Sequence, residues 1–118
     1  MFIDTKLRPQ GEVQQVGKLR LSEAIRTGAR ARQQCTEKLF LTGRSCAFGA
    51  AYEAVFGTPE GVNGVLGFSE LGLRLASAFP KFFKPSGAPN DLGQEIYGRN
   101  DDGWTREQIA DWLESQGY

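Results

Sequence analysis

Gly43-Arg44-Ser45-Cys46-Ala47-Phe48-Gly49-Ala50-Ala51-Tyr52-Glu53-Ala54-Val55-Phe56-Gly57 is the stretch that decides how this chain folds. It reads as a tight turn running into an unusually small-sided helix. Arg44 and Ser45 lie at the approach, Cys46 falls in the first turn, and Gly57 ends the helix in the left-handed conformation that glycine tolerates. Spacings of three and four put Cys46, Gly49, Ala50 and Ala54 on a low-relief stripe, and Phe48, Tyr52 and Val55 on a bulky one. Other helices can approach such a flat face closely, so this helix is expected at the centre of a small helical domain.

Upstream, Pro9, Gly11 and Gly17 interrupt any periodicity, which predicts an extended arm over residues 1–20 with a short strand near Val13 to Val16. Ser22 is the expected cap of a helix through Arg32, with Leu21, Ala24, Ile25 and Ala29 inward and Arg26, Arg30 and Arg32 outward. Gly28 in mid-helix costs about 1 kcal/mol against alanine and so predicts close packing on another backbone. Leu39-Phe40-Leu41 fits a short strand or a buried extended segment, and Thr42 to Ser45 a turn.

Downstream, residues 58–64 form a loop, and a helix is expected from a Ser69 cap to Phe79, stopped by Pro80. Phe82 and Phe83 are expected back on the core. Asn90 caps a short helix closed by Gly98, and Asn100-Asp101-Asp102-Gly103 reads as a turn. The last helix is the best written. Thr105 caps it, Gln108 reciprocates, Trp104 staples onto Ile109, and Ile109, Trp112 and Leu113 form its buried stripe. The whole reads as a mainly α, single compact domain of four to five short helices over residues 21–118. An extended N-terminal arm precedes it, and there is room for one short hairpin.

With 118 residues, the chain is long enough for one core. No run approaches the roughly 20 apolar residues of a membrane span, and the N-terminus lacks a signal-peptide pattern. A cytoplasmic location without membrane contact is therefore expected, in the producing cell or in a host. The net charge is zero, yet residues 1–44 hold nine basic and four acidic side chains, and residues 85–118 two basic and seven acidic. Either the two ends pair across the fold, or the basic end faces a polyanion or an acidic partner.

Catalytic chemistry finds little purchase. There is no histidine, so neither the commonest general base nor the commonest zinc nitrogen ligand is present. Cys46, near a helix start with Arg44 two residues ahead, is the candidate reactive thiol. A small buried cysteine against Gly49 and Ala50 is the plainer reading, since free cysteine is among the most buried residue types. The Asp101-Asp102-Gly103 turn fails the spacing of a calcium loop, whose first and twelfth positions would fall on Gly98 and Ile109. Gly43-Arg44-Ser45 lacks the lysine and spacing of a phosphate loop. No catalytic, cofactor-binding or metal-binding residue is assigned, and no cofactor is expected.

Two separated patterns carry a resemblance. Cys46-Ala47-Phe48-Gly49-Ala50-Ala51-Tyr52-Glu53-Ala54, then Asn100-Asp101, then Trp104-Thr105-Arg106-Glu107-Gln108-Ile109-Ala110-Asp111-Trp112-Leu113-Glu114 resemble small uncharacterised proteins of bacteria and their phages. The resemblance spans roughly a third of the chain. It implies a helical fold and no mechanism, because the family has no assigned activity. The Cys-x-x-Cys pair or histidine near the Asn-Asp turn found in some such sequences is absent here.

The function expected is a non-enzymatic protein-interaction module, a subunit of a homo-oligomer or a phage or accessory factor. Phe82 and Phe83 are candidate anchors in that reading. The alternative is a nucleic-acid-associated protein using Lys18, Arg20, Arg26, Arg30 and Arg32. A second alternative is a redox or hydrolytic protein working through Cys46.

Overall fold

The first helix, α1 (Leu21–Ala29), forms because Leu21, Ala24, Ile25 and Gly28 recur at helical spacing and are buried together. Its cap differs from expectation. Arg20 occupies the N-cap position and its main-chain N–H donates to Glu23 Oε1 at 3.0 Å. Ser22 lies on the buried stripe instead, where its hydroxyl donates to the Tyr118 main-chain oxygen at 3.2 Å. The helix also stops at Ala29, short of Arg32, because the next stretch of chain is drawn into pairing: Ser45 N–H donates to Gln33 O and Cys35 N–H to Ser45 O, both at 2.9 Å.

The computed structural model describes residues 19–118. Most of the expected arm and the strand expected near Val13 to Val16 lie outside the described residues.

Strands β1 (Phe40–Leu41) and β2 (Arg44–Ser45) make the short hairpin, and β3 (Val65–Leu66) adds to the free side of β1. The sheet is antiparallel in the order β2-β1-β3, with Phe40 opposite both Ser45 and Leu66. Thr42 (φ 47°) and Gly43 (φ 80°) are the two turn residues, and positive φ at both is what a two-residue mirror-image turn requires.

Helix α2 (Ala47–Phe56) is the centre of the fold: every residue from Ala47 to Tyr52 is buried. Cys46 is its N-cap rather than a first-turn residue, and its Sγ accepts the Gly49 N–H at 3.5 Å. Gly57 does end the helix with positive φ (86°), but its ψ of 179° is extended, a region essentially closed to side-chain-bearing residues, and not left-handed helical.

Helix α3 (Phe68–Ala78) begins earlier than expected. Gly67 is its N-cap, and Glu70 Oε1 accepts the Gly67 N–H at 2.8 Å, so Ser69 lies inside the helix. Helix α4 (Asp91–Asp101) is capped by Asn90, whose Oδ1 accepts the Gly93 N–H at 3.0 Å. It runs through Gly98 rather than closing there, because Ile96 and Asn100, four apart, are both held in the core. Helix α5 (Arg106–Ser115) has the reciprocal cap read from its sequence: Thr105 Oγ1 accepts the Gln108 N–H at 3.0 Å and Gln108 Oε1 the Thr105 N–H at 2.9 Å. No helix among the described residues is long and apolar enough to cross a membrane.

The helices meet backbone to backbone. A Cβ on Gly28 would sit 1.8 Å from the Ala50 carbonyl oxygen, which is how α1 lies directly on α2. A Cβ on Gly49 would sit 2.1 Å from Leu39 O, and one on Gly72 2.2 Å from Gly87 O. Helix α5 docks chiefly on α1. Trp112, expected on its buried stripe, is only half-buried, and the Arg99 guanidinium lies 4.0 Å from its ring centroid and 4.6 Å from that of Trp104.

Two glycines in helix interiors should therefore respond oppositely to alanine. Gly28→Ala forces a methyl into the Ala50 carbonyl and is expected to cost about 3 kcal/mol, at the upper end for overpacking. Gly98→Ala meets nothing within 4 Å and should stabilise by roughly 0.5–1 kcal/mol through helix propensity. Urea denaturation of both variants measures the contrast, and equal effects would contradict the close approach.

Candidate functional site

The residues singled out from the sequence do not converge. Arg26 Nη2 donates to Asp111 Oδ1 at 2.6 Å and to Glu114 Oε1 at 2.8 Å, tying α1 to α5. Arg32 grips Glu53 with two parallel bonds of 2.8 Å, and its Nη1 donates to Gly43 O at 3.1 Å. That grip, helped by the Thr58 hydroxyl, holds the Glu53 carboxyl below its ordinary range. Arg30 is exposed. The charge split in the sequence is thus partly cancelled inside the fold, with Arg26 reaching acids from the last helix.

Phe82 and Phe83 are buried, and Phe83 stacks edge-on against Phe48 with centroids 4.8 Å apart. Within this fold their rings belong to the core. Cys35 and Cys46 are free and buried. Burial pushes the Cys46 thiol up to about 12 and overrides the Gly49 N–H that points at it. The helix N-terminus, which favours a thiolate in water, is outweighed here by the loss of water.

The feature sequence reasoning missed is a buried polar knot. Asn100 Oδ1 accepts the Ala47 N–H at 3.0 Å and Gln34 Nε2 at 3.1 Å, while Asn100 Nδ2 donates to Cys35 O at 2.9 Å. Gln34 Nε2 also donates to Trp104 O at 2.8 Å, and Gln34 Oε1 accepts the Arg106 N–H at 3.2 Å. Arg106 completes the knot. Its Nη1 donates to Ser45 Oγ at 2.8 Å and its Nη2 to Arg32 O at 2.7 Å. This guanidinium is only 8% exposed and has no carboxylate partner among the described residues, so burial lowers its pKa. Two bonds from α4 clamp the neighbouring loop: Asp101 Oδ1 accepts the Glu37 N–H at 2.8 Å and the Tyr97 hydroxyl donates to Glu37 O. Glu37 is held there at a φ of 73°, unusual for a residue with a side chain. All of these groups are satisfied by one another, which makes the knot architecture rather than a site.

The described residues also line two concavities. One is a polar cleft of about 350 Å³ between the end of α2 and α3, lined by Tyr52, Phe56, Thr58, Glu60, Glu70 and Arg74. The other is a mostly apolar groove of about 280 Å³. It is lined by three separate stretches, Leu19 to Leu21, Ala78 to Phe82, and Gly117 with Tyr118. Its floor is built from buried Leu21, Phe79 and Phe82. The Tyr118 ring stands edge-on to Phe82 with centroids 5.2 Å apart. Arg20 and Lys81, both exposed, are among the lining residues. Nothing in the sequence pointed to this groove, because it joins the first helix to the last residue and to the irregular stretch after α3.

No protein-family model matches the chain, and neither curated proteins nor solved structures match it.

At pH 8 a thiol with a pKa of about 12 is roughly one part in ten thousand thiolate, against about a tenth for an unperturbed thiol at 9.0. Iodoacetamide should therefore modify Cys46 in the folded protein at least about a thousandfold more slowly than in urea. Because the folded value is raised, its contribution to stability is whole below pH 9 and is lost as pH climbs from 9 toward 12. Rapid labelling of Cys46 at neutral pH would reopen the thiol chemistry. Separately, Asn100→Leu should cost about 3 kcal/mol in urea denaturation by stranding the Ala47 N–H and Cys35 carbonyl.

Proposed function

We propose that this protein is a non-enzymatic protein-interaction module whose docking site is the groove between Leu19–Leu21 and Ala78–Phe82. The observation that supports the reading is the groove itself, a mostly apolar trough with buried Phe79 and Phe82 in its floor that is open among the described residues. Its volume of about 280 Å³ lies just under the roughly 300–1,000 Å³ of small-molecule sites and suits one or two anchoring side chains of a protein partner. The nucleic-acid reading is less well supported, since Arg26 and Arg32 are committed to carboxylates and do not form an unpaired basic row. The Cys46 reading is weakened by the buried thiol. A place among small bacterial and phage accessory proteins remains compatible with the module reading.

The test is groove-dependent capture. Tagged wild type and Leu19→Asp are used to capture partners from lysate of the source cell, with and without nuclease, after matching their thermal unfolding. The reading expects a stoichiometric protein partner in both wild-type halves and at least tenfold less of it with Leu19→Asp. Equal capture by the two proteins, or capture that disappears with nuclease, would overturn it.

A further inference from the structure

The groove's surroundings say more about its occupant than its apolar floor does. Lys81 Nζ lies 5.3 Å from the centroid of the Tyr118 ring, so a cation is held in place over a ring that lines the groove. The exposed Arg20, from a different stretch of the chain, lines the same groove. Neither makes an ion pair with a described residue. The nearest acid along the chain, Glu23, turns its Oε1 to the Arg20 main-chain N–H as part of the helix cap. The Tyr118 main-chain oxygen is likewise taken up by Ser22, which donates to it from its amide and its hydroxyl. The mouth therefore carries two exposed cations beside a floor of Leu21, Phe79 and Phe82.

Building on the interaction-module reading, we infer that the groove takes a segment of a partner protein that presents a large apolar side chain beside a carboxylate. The apolar group fills the trough over Phe79 and Phe82, and the carboxylate meets Lys81 and Arg20 at the rim. Burying the anchor supplies most of the affinity. The rim charges set the on-rate and choose among apolar segments, because a basic segment would bring like charges together at the mouth.

The experiment pans a phage-displayed library of random dodecapeptides on the full-length protein. It then measures the best peptides on wild type and on Lys81→Glu, a substitution at an exposed side chain. Enriched sequences should place Asp or Glu within two residues of Phe, Leu or Trp. Lys81→Glu should weaken them at least tenfold, and replacing the peptide acid by lysine should restore binding to that variant. Neutral or basic consensus sequences, or affinities that Lys81→Glu leaves unchanged, would overturn the inference. A photo-crosslinker at position 80 identifies the occupant directly. Cross-links to the acid-bearing peptide support the inference, and cross-links only within the chain or to a second copy refute it. If groove-dependent capture succeeds while the charge swap has no effect, the module reading stands and only the acidic partner is wrong. If both fail, both are wrong.

Discussion

The structure turns on one amide. The side chain of Asn100 is completely buried, and from there it holds the first free N–H of the central helix, the carbonyl of Cys35 and the side chain of Gln34. These partners come from the central helix and from the stretch before the hairpin, so this residue fixes how α4 meets the start of α2. The arrangement is stable because it is complete. An unpaired buried polar group costs about 1–3 kcal/mol, whereas a fully satisfied set restricts the core to one packing. Arg106 obeys the same rule at higher stakes. Its charge is largely out of water with no ion pair to a described residue, and oxygens of Ser45 and Arg32 take its N–H groups instead.

That knot demands that the helices come close enough for short side chains to span them, and the glycines provide this. Gly28 against Ala50 and Gly49 against Leu39 bring main chains into contact, leaving the first half of α2 buried all round. A helix so enclosed keeps no face for chemistry. The cysteine at its N-terminus shows the consequence: the position that would favour a thiolate in solvent here holds a protonated thiol, because desolvation outweighs a half-charge of helix dipole.

Local signals were legible where they depend on neighbours in sequence. The Thr105–Gln108 cap, the Asn90 cap, the close approach at Gly28 and the centrality of the Cys46–Gly57 stretch all arise from short-range chemistry. Misreadings arose where a distant partner overrode a local preference. Ser22 looks like a cap but is buried against Tyr118, and Gly98 looks like a stop but is crossed because Asn100 is anchored in the core. A signal for the knot was available. Arg106, Ile109, Ala110 and Leu113 share one helical face, as do Gly93, Ile96 and Asn100, so a polar residue in each apolar stripe marked it for burial. The groove had no such signature, since its walls are Leu19–Leu21, Ala78–Phe82 and Tyr118, stretches far apart in the chain.

The same pairing logic separates the charges that build the fold from those left to meet something else. The sequence concentrates cations early and acids late, and the fold pairs Arg26 with Asp111 and Glu114, and Arg32 with Glu53. The solvent-facing pairs of Arg26 contribute only about 0.2–1 kcal/mol each, so their larger effect is to decide which face is neutral, whereas the two-bond Arg32–Glu53 pair is largely buried. Arg20 and Lys81, like the exposed Arg30, Lys38 and Arg44, make no ion pair with a described residue, and both line the groove. A cation held over an aromatic ring beside an open apolar trough adds little to folding stability. In the proposed reading its use lies outside the fold, as a fixed landing place for a partner's carboxylate, and that is what sets this corner apart from the buried thiol and from the arginines already paired with acids.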